Sequence, residues 1–177
     1  NAITLDNAGI TSLQGVEYFR CLNRLSVNQN QLTELDLSSN PELEFLSCHS
    51  NLLTALDVSK NTKLTYLHCT SNKLTSLDVS MLPQLDCLYF GENQLRQIDL
   101  SKNPKLEVLY CYQCQLSELD LSHNPELFVL GCSANRIPTL DLSKNPKLQM
   151  LYCDENWLTE LSVSSLSELK DGATIII

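Results

Sequence analysis

The sequence is short of positive charge, of glycine and of long apolar runs. It has 12 Lys and Arg against 21 Asp and Glu, a net charge of −9. Nucleic-acid affinity needs clustered Lys and Arg, so a phosphate-backbone partner is excluded. Glycine is scarce, at 5 residues in 177, and no segment has a disordered composition. No glycine-rich phosphate loop, Ser-His-Asp set or general-acid carboxylate pair stands out, which argues against an enzyme. The longest apolar run, around Ile175–Ile177, falls far below the roughly 20 residues a membrane-spanning helix needs. The chain begins at Asn1 with neither a Met nor an apolar targeting segment. It therefore reads as a processed product or an excised piece, with any signal or anchor elsewhere.

What the chain has in abundance is repetition. Leu106–Glu126, LEVLYCYQCQLSELDLSHNPE, is one copy of a 21-residue unit. Seven full copies begin at Leu22, Leu43, Leu64, Leu85, Leu106, Leu127 and Leu148. Each has Leu at the first and fourth places, usually Cys at the sixth and usually Asn at the ninth. Leu-Asp-Leu/Val-Ser follows from the fourteenth place, and Asn-Pro often stands near the end. This period and spacing are the signature of leucine-rich repeats. Places three to seven alternate, apolar at four and six, which predicts a short strand with one buried face. No unit can bury that face alone, so neighbouring units must stack.

The expected fold is an α/β-type repeat. It is a right-handed leucine-rich-repeat solenoid with a parallel sheet of roughly eight or nine short strands on its concave side. The convex side should be mostly turn and extended chain. We expect one domain over residues 1–177: an irregular first repeat or cap over 1–21, seven repeats over 22–168, and over 169–177 the start of a C-terminal cap or next domain. In the first copy Ile3, Leu5, Ile10 and Leu13 take the apolar places and Ala8 replaces the Asn.

Eight cysteines would ordinarily suggest a disulfide framework. Five of them, Cys48, Cys69, Cys111, Cys132 and Cys153, share one place and should stack on adjacent strands about 4.8 Å apart. That exceeds the roughly 3.8 Å between Cβ atoms of a disulfide, so they read as small buried hydrophobes. Asn30, Asn51, Asn72, Asn93, Asn135 and Asn156 form a second column, where the chain turns away from the strand and an amide can bond the turn's backbone.

The run of LxxLxCxxNxLTxLDLSxNPx units resembles the bacterial surface leucine-rich-repeat proteins with a cysteine ladder, of the internalin J type. LQGVEYF near the start resembles an internalin unit. The likeness covers roughly residues 10–168 and departs at Val27 and Phe90 in the Cys column, Cys114 in the Asn column, and Leu82 and Leu166 before the turn. It implies an extracellular or surface-attached bacterial protein that binds another protein, a glycan or a host surface.

The outward places of the sheet carry the functional information. Five of six tyrosines project there, with Phe45 and two of three His. Tyrosine offers a large apolar area and a hydroxyl at low entropic cost, which suits recognition. Aromatics also stack across strands for stability alone. The candidate ligand-binding residues are Phe45, Tyr66, His68, Tyr89, Tyr110, Tyr112 and Tyr152. Glu92, Asp154 and Glu155 border them, so a neutral or basic protein or a glycan fits better than an acidic partner. No catalytic residue, metal ligand or cofactor is assigned, and a monomer is expected.

Other constellations dissolve into the repeat. His49 and His68 adjoin Cys48 and Cys69, but alternation points each Cys inward and each His outward, away from a shared zinc. Cys111 and Cys114 have redox spacing without a helix N-terminus to stabilise a thiolate. Cys87 should be a reachable thiol on the open face. Asp36, Asp57, Asp78, Asp99, Asp120 and Asp141 align at one place, as caps of their own turn amides or as a calcium-binding edge. The expected role is a recognition or adhesion module binding on the concave face. The alternative is a passive spacer presenting neighbouring domains.

Overall fold

The computed structural model of the chain describes residues 1–162 and 174–177. Leu166 and the expected boundary at residues 168 and 169 lie outside the described residues. Eleven strands are present among the described residues, each of three residues: β1 (Ala2–Thr4), β2 (Arg24–Ser26), β3 (Phe45–Ser47), β4 (Tyr66–His68), β5 (Cys87–Tyr89), β6 (Val108–Tyr110), β7 (Val129–Gly131), β8 (Thr139–Asp141), β9 (Met150–Tyr152), β10 (Glu160–Ser162) and β11 (Thr174–Ile176). Among the described residues one 3-10 turn, Val16–Tyr18, is present, in the first copy.

Nine strands form one parallel sheet in the order β1-β2-β3-β4-β5-β6-β7-β9-β11. Every pairing aligns like places of the unit, so Leu25 lies beside Leu46 and Leu46 beside Leu67. On the far side the chain is mostly turn, with β8 and β10 adding a separate parallel pair. The inward leucines Leu25, Leu46, Leu67, Leu88, Leu109 and Leu130 are all 0 % exposed. Full burial of such a side chain contributes about 1.5–3 kcal/mol, and only stacking achieves it here. The five ladder cysteines are buried and free. Burial pushes the Cys48 and Cys132 thiols up to about 12.

Buried side-chain amides tie each turn to its neighbour. Asn72 Nδ2 donates to the Cys69 carbonyl of its own strand end (3.0 Å) and to the Cys48 carbonyl one turn back (3.1 Å). Its Oδ1 accepts from the Leu53 amide at 3.0 Å. Asn51, Asn93, Asn135 and Asn156 repeat the pattern. At the substituted position Cys114 keeps a weaker form of it. Its thiol donates to the Phe90 carbonyl at 3.5 Å, and the Asn93 and Leu95 amides point at the sulfur.

The residue before each ninth-place side chain is forced into the left-handed region. Gln29, Ser50, Ser71, Glu92, Gln113, Ala134 and Glu155 have φ between 49° and 55°, and none is glycine. Such a conformation costs about 1–2 kcal/mol per residue, and the ladder hydrogen bonds on either side offset it.

The far side has its own column. Asn40, Asn61, Asn103, Asn124 and Asn145 are 0 % exposed. Asn61 Nδ2 reaches the Leu37 and Asn40 carbonyls at 3.1 and 2.9 Å, bonding one turn to the previous one. Leu82 fills that place in one turn and is equally buried. Outside it, the Asp column acts as turn caps. Asp36 Oδ1 accepts the Ser38 amide at 2.9 Å, and Asp57, Asp78, Asp99, Asp120 and Asp141 do the same with their own serines. The Ser38 amide holds the Asp36 carboxyl below its ordinary range.

Replacing Cys114→Asn restores a strong donor to the Phe90 carbonyl and an acceptor to the Leu95 amide. We expect a gain of about 1 kcal/mol, read as a higher urea midpoint at unchanged slope. A lower midpoint would mean that the Phe90 surroundings have adapted to sulfur.

Candidate functional site on the open face of the sheet

Short strands in register place outward side chains one strand spacing apart, close enough for rings to touch. Phe45 and Tyr66 stack with centroids 4.3 Å apart and planes at 9°. Tyr66 meets Tyr89 at 5.5 Å, and Tyr89 stacks on Tyr110 at 5.4 Å and 7°. His68 joins this row, 5.1 Å from Tyr89 and edge-on to Tyr66 at 6.4 Å, and stacks on His49 at 4.5 Å. The structure thus brings Phe45, Tyr66, His68, Tyr89 and Tyr110 into one contiguous strip across β3 to β6. Tyr112 and Tyr152 lie on the same face outside the stack, and burial first, then Tyr152, raises the Tyr110 phenol.

Two glycines, Gly131 in β7 and Gly91 just past β5, make room for this arrangement. A Cβ on Gly131 would sit 2.4 Å from Tyr110 Cδ1, so the Tyr110 ring lies against that bare backbone. A Cβ on Gly91 would sit 2.9 Å from Tyr112 Cδ1. Burial, and then the Glu92 carboxylate beside it, raises the Tyr112 phenol. The sequence showed both glycines without a role, because the need for them exists only once the neighbouring ring is placed.

The rings are half-buried by one another rather than free. Small outward residues are buried as well: Ser26, Ser47, Thr70 and Val129 are 4–8 % exposed although they point away from the leucines. Cys87, expected as a reachable thiol, is likewise only half-exposed. Burial, aided by Asp86, pushes it up to about 12, so it is a poor nucleophile. Burial also pushes Tyr89 up to about 12. His68 drops to about 4, first through burial and then through His49 beside it. The strip is therefore uncharged near neutral pH.

The N-terminal end is polar instead. Ser26 Oγ donates to both oxygens of Asp6 at 2.8 and 3.0 Å, and the Asn28 amide donates to Asp6 Oδ1 at 2.8 Å. Ser47 Oγ and the His49 amide then donate to Asn28 Oδ1 at 2.7 and 3.1 Å. Next to this network lies Arg24, its guanidinium 3.4 Å from the centre of the Phe45 ring. Sequence reasoning left Arg24 out of the site. Its position before Phe45 at the same place of the unit was the available signal.

Among the described residues no three His, Cys, Asp or Glu side chains converge on one point. A recess of about 940 Å³ opens on the far side beside Asp78, Arg96 and Asp99. Similar recesses flank Asp36 and Asp57, and Asp120 and Asp141, so each is the groove between turns and not a specialised cavity.

Two measurements test this geometry. Gly131→Ala should lift the Tyr110 ring off β7, abolish its stacking on Tyr89 and cost about 1–3 kcal/mol. Unchanged Tyr110 ring resonances in NMR spectra would refute the close approach. The His68 imidazole should titrate near 4 by NMR. Because an unfolded histidine titrates near 6.5, the unfolded chain takes up this proton first. The stability His68 contributes is complete above pH 6.5 and is lost as pH falls through about 4. Partial exposure keeps the effect below the roughly 1.4 kcal/mol per pKa unit of a fully buried group.

No protein-family model and no curated sequence matches the chain. Solved structures do. The functional domain of InlJ from Listeria monocytogenes, described as including a cysteine ladder, is 34 % identical with a TM-score of 0.53; the match covers 96 % of this chain and 47 % of that one. Internalin C2 from the same organism is 24 % identical with a TM-score of 0.86, over 99 % and 78 % of the two chains. YopM, a leucine-rich effector protein from Yersinia pestis, is 29 % identical with a TM-score of 0.84, over 98 % and 48 %. The chain thus spans about half the length of InlJ and of YopM. Shared period, cysteine ladder and parallel sheet make it a leucine-rich-repeat protein with 21-residue cysteine-ladder units, similar to internalin J.

Proposed function

We propose that this chain is a non-enzymatic recognition module, acting as one leucine-rich-repeat domain and binding a protein or glycan ligand on the concave face. Phe45, Tyr66, His68, Tyr89, Tyr110, Tyr112 and Tyr152 form the contact. The observation that carries this reading is the continuous row of half-exposed rings across β3 to β6. Such rings combine apolar area with hydroxyls, and little further ordering is needed on binding because neighbours already fix them. Similarity to InlJ and internalin C2 supports an adhesion or interaction role on an exported or surface-attached protein. Among the described residues no helix is long and apolar enough to cross a membrane.

A second reading has its own support. The rings satisfy one another by stacking, as a stabilising cross-strand ladder would, and a passive spacer would need nothing more.

The discriminating experiment captures a ligand with the wild-type chain by pull-down or glycan array, then compares it with Tyr89, Tyr110 and Tyr152 all replaced by Ala. Loss of about 100-fold or more in affinity is expected if these side chains are central anchors. Unchanged binding would move the site elsewhere, and failure to capture any ligand would favour the spacer.

A further inference from the structure

One cation stands on this face, and it is held in an unusual way. Among the outward places three, five and seven of the seven units, Arg24 is the only Lys or Arg. It is exposed, and its guanidinium lies 3.4 Å from the Phe45 centroid. Phe45 is in turn stacked on Tyr66 at 4.3 Å, so the guanidinium ends a three-member stack. Glu44 lies exposed just before the adjacent strand, yet the ion pairs among the described residues are Lys63–Glu42 and Lys147–Glu126, neither of them involving Arg24. Arg24 uses its flat face on the ring and leaves its in-plane N–H groups without a protein partner among the described residues.

That is the geometry a planar carboxylate requires. A guanidinium offers two parallel donors at its edge, matched to the two oxygens of a carboxylate. Stacking fixes the plane beforehand, so less side-chain freedom is lost on binding than for a free surface arginine. A net charge of −9 keeps anions away from most of the surface, and Arg24 is the exception on this face.

The stacking also bears on which molecule carries the carboxylate. Phe45 is flanked by Arg24 from β2 and Tyr66 from β4, Tyr89 faces Tyr110, and Tyr110 rests on Gly131. Most ring faces are thus occupied within the protein, and the strip offers ring edges and hydroxyls. A sugar ring would need an open ring face, whereas an extended polypeptide can use edges and hydroxyls through its side chains and backbone.

We propose that Arg24, laid flat on Phe45, is an anion subsite at the N-terminal end of the strip that takes an Asp or Glu side chain of a polypeptide partner in a two-pronged hydrogen bond. This rests on the concave-face reading above. It places one acidic group of an otherwise neutral or basic ligand at β2, and so fixes which way the ligand lies across the sheet.

The test pans a random dodecapeptide library, and in parallel a sialylated glycan array, against the wild-type chain. Arg24→Gln and the Tyr89, Tyr110 and Tyr152 triple alanine variant serve as counter-baits. Arg24 is exposed, so its variant should unfold at the same temperature. We expect peptides that need the tyrosines, that share one Asp or Glu, and that bind Arg24→Gln about tenfold or more weakly. Arg24→Lys should not restore them. Tyrosine-dependent peptides that bind Arg24→Gln as tightly as wild type would overturn the subsite and leave the concave-face reading intact. Recovery only of peptides indifferent to the tyrosines, or of none, would overturn both. Arg24-dependent retention of a sialylated glycan in place of peptides would overturn the polypeptide assignment.

Discussion

The structure depends on one interaction, the side-chain amide at the ninth place of six of the seven units. A strand of three residues cannot organise a domain through its own ladder bonds. It needs a fixed exit angle and a fixed distance to the next strand. The ladder asparagine provides both, since its donor bridges the ends of two successive strands and its acceptor holds the next segment of the turn before. Only a short side chain with a donor and an acceptor on one planar group can do this. Leucine burial supplies the larger share of the stabilisation, and the amide decides the register in which it is collected.

The two faces of the sheet consequently answer to different rules. Inward, every turn must present nearly the same volume, and the sequence varies little. Where Phe90 replaces a ladder cysteine it is fully buried, with Cys69 and Cys111 at the same place on either side. Outward, the backbone imposes only spacing, and side chains are free to differ. The aromatic strip occupies the middle of this face, with the hydrogen-bonded Asp6, Ser26 and Asn28 group at one end and Asp154 bound to Ser133 at the other. Acidification changes both faces of the molecule, through the imidazole pair in the strip and through the capping carboxylates on the far side, whose lowered pKa values make them lose their stabilising bonds as they protonate.

The fold was almost wholly legible in the sequence because period reports directly on stacking. Nine strands in one sheet, the free cysteine column and the capping aspartates all follow from place in the unit. The buried asparagines before the turn were visible as letters, but their burial was not, since Asn-Pro reads as an ordinary exposed turn. The candidate site was legible as a set of outward residues and not as an arrangement. That Tyr110 leans over Gly131, that Tyr112 leans the other way over Gly91, and that Arg24 lies on Phe45 depend on side-chain rotation, which no periodicity encodes. Cys87 shows the same limit: its direction was read correctly, and its shielding by larger neighbours was not.

The two glycines carry a consequence for how such a chain can change. A leucine-rich-repeat array can gain or lose a whole unit with little harm to its core, because every turn offers its neighbour the same inner surface. The outer surface of this chain does not share that freedom. The unit beginning at Leu106 leans on a vacancy in the unit before it and on another in the unit after it. Deleting the unit before or the unit after, or duplicating the central one, would leave a foldable protein in which a tyrosine no longer has a place to lie. Units that look interchangeable in the sequence are, on the outside of the sheet, a fixed order of three.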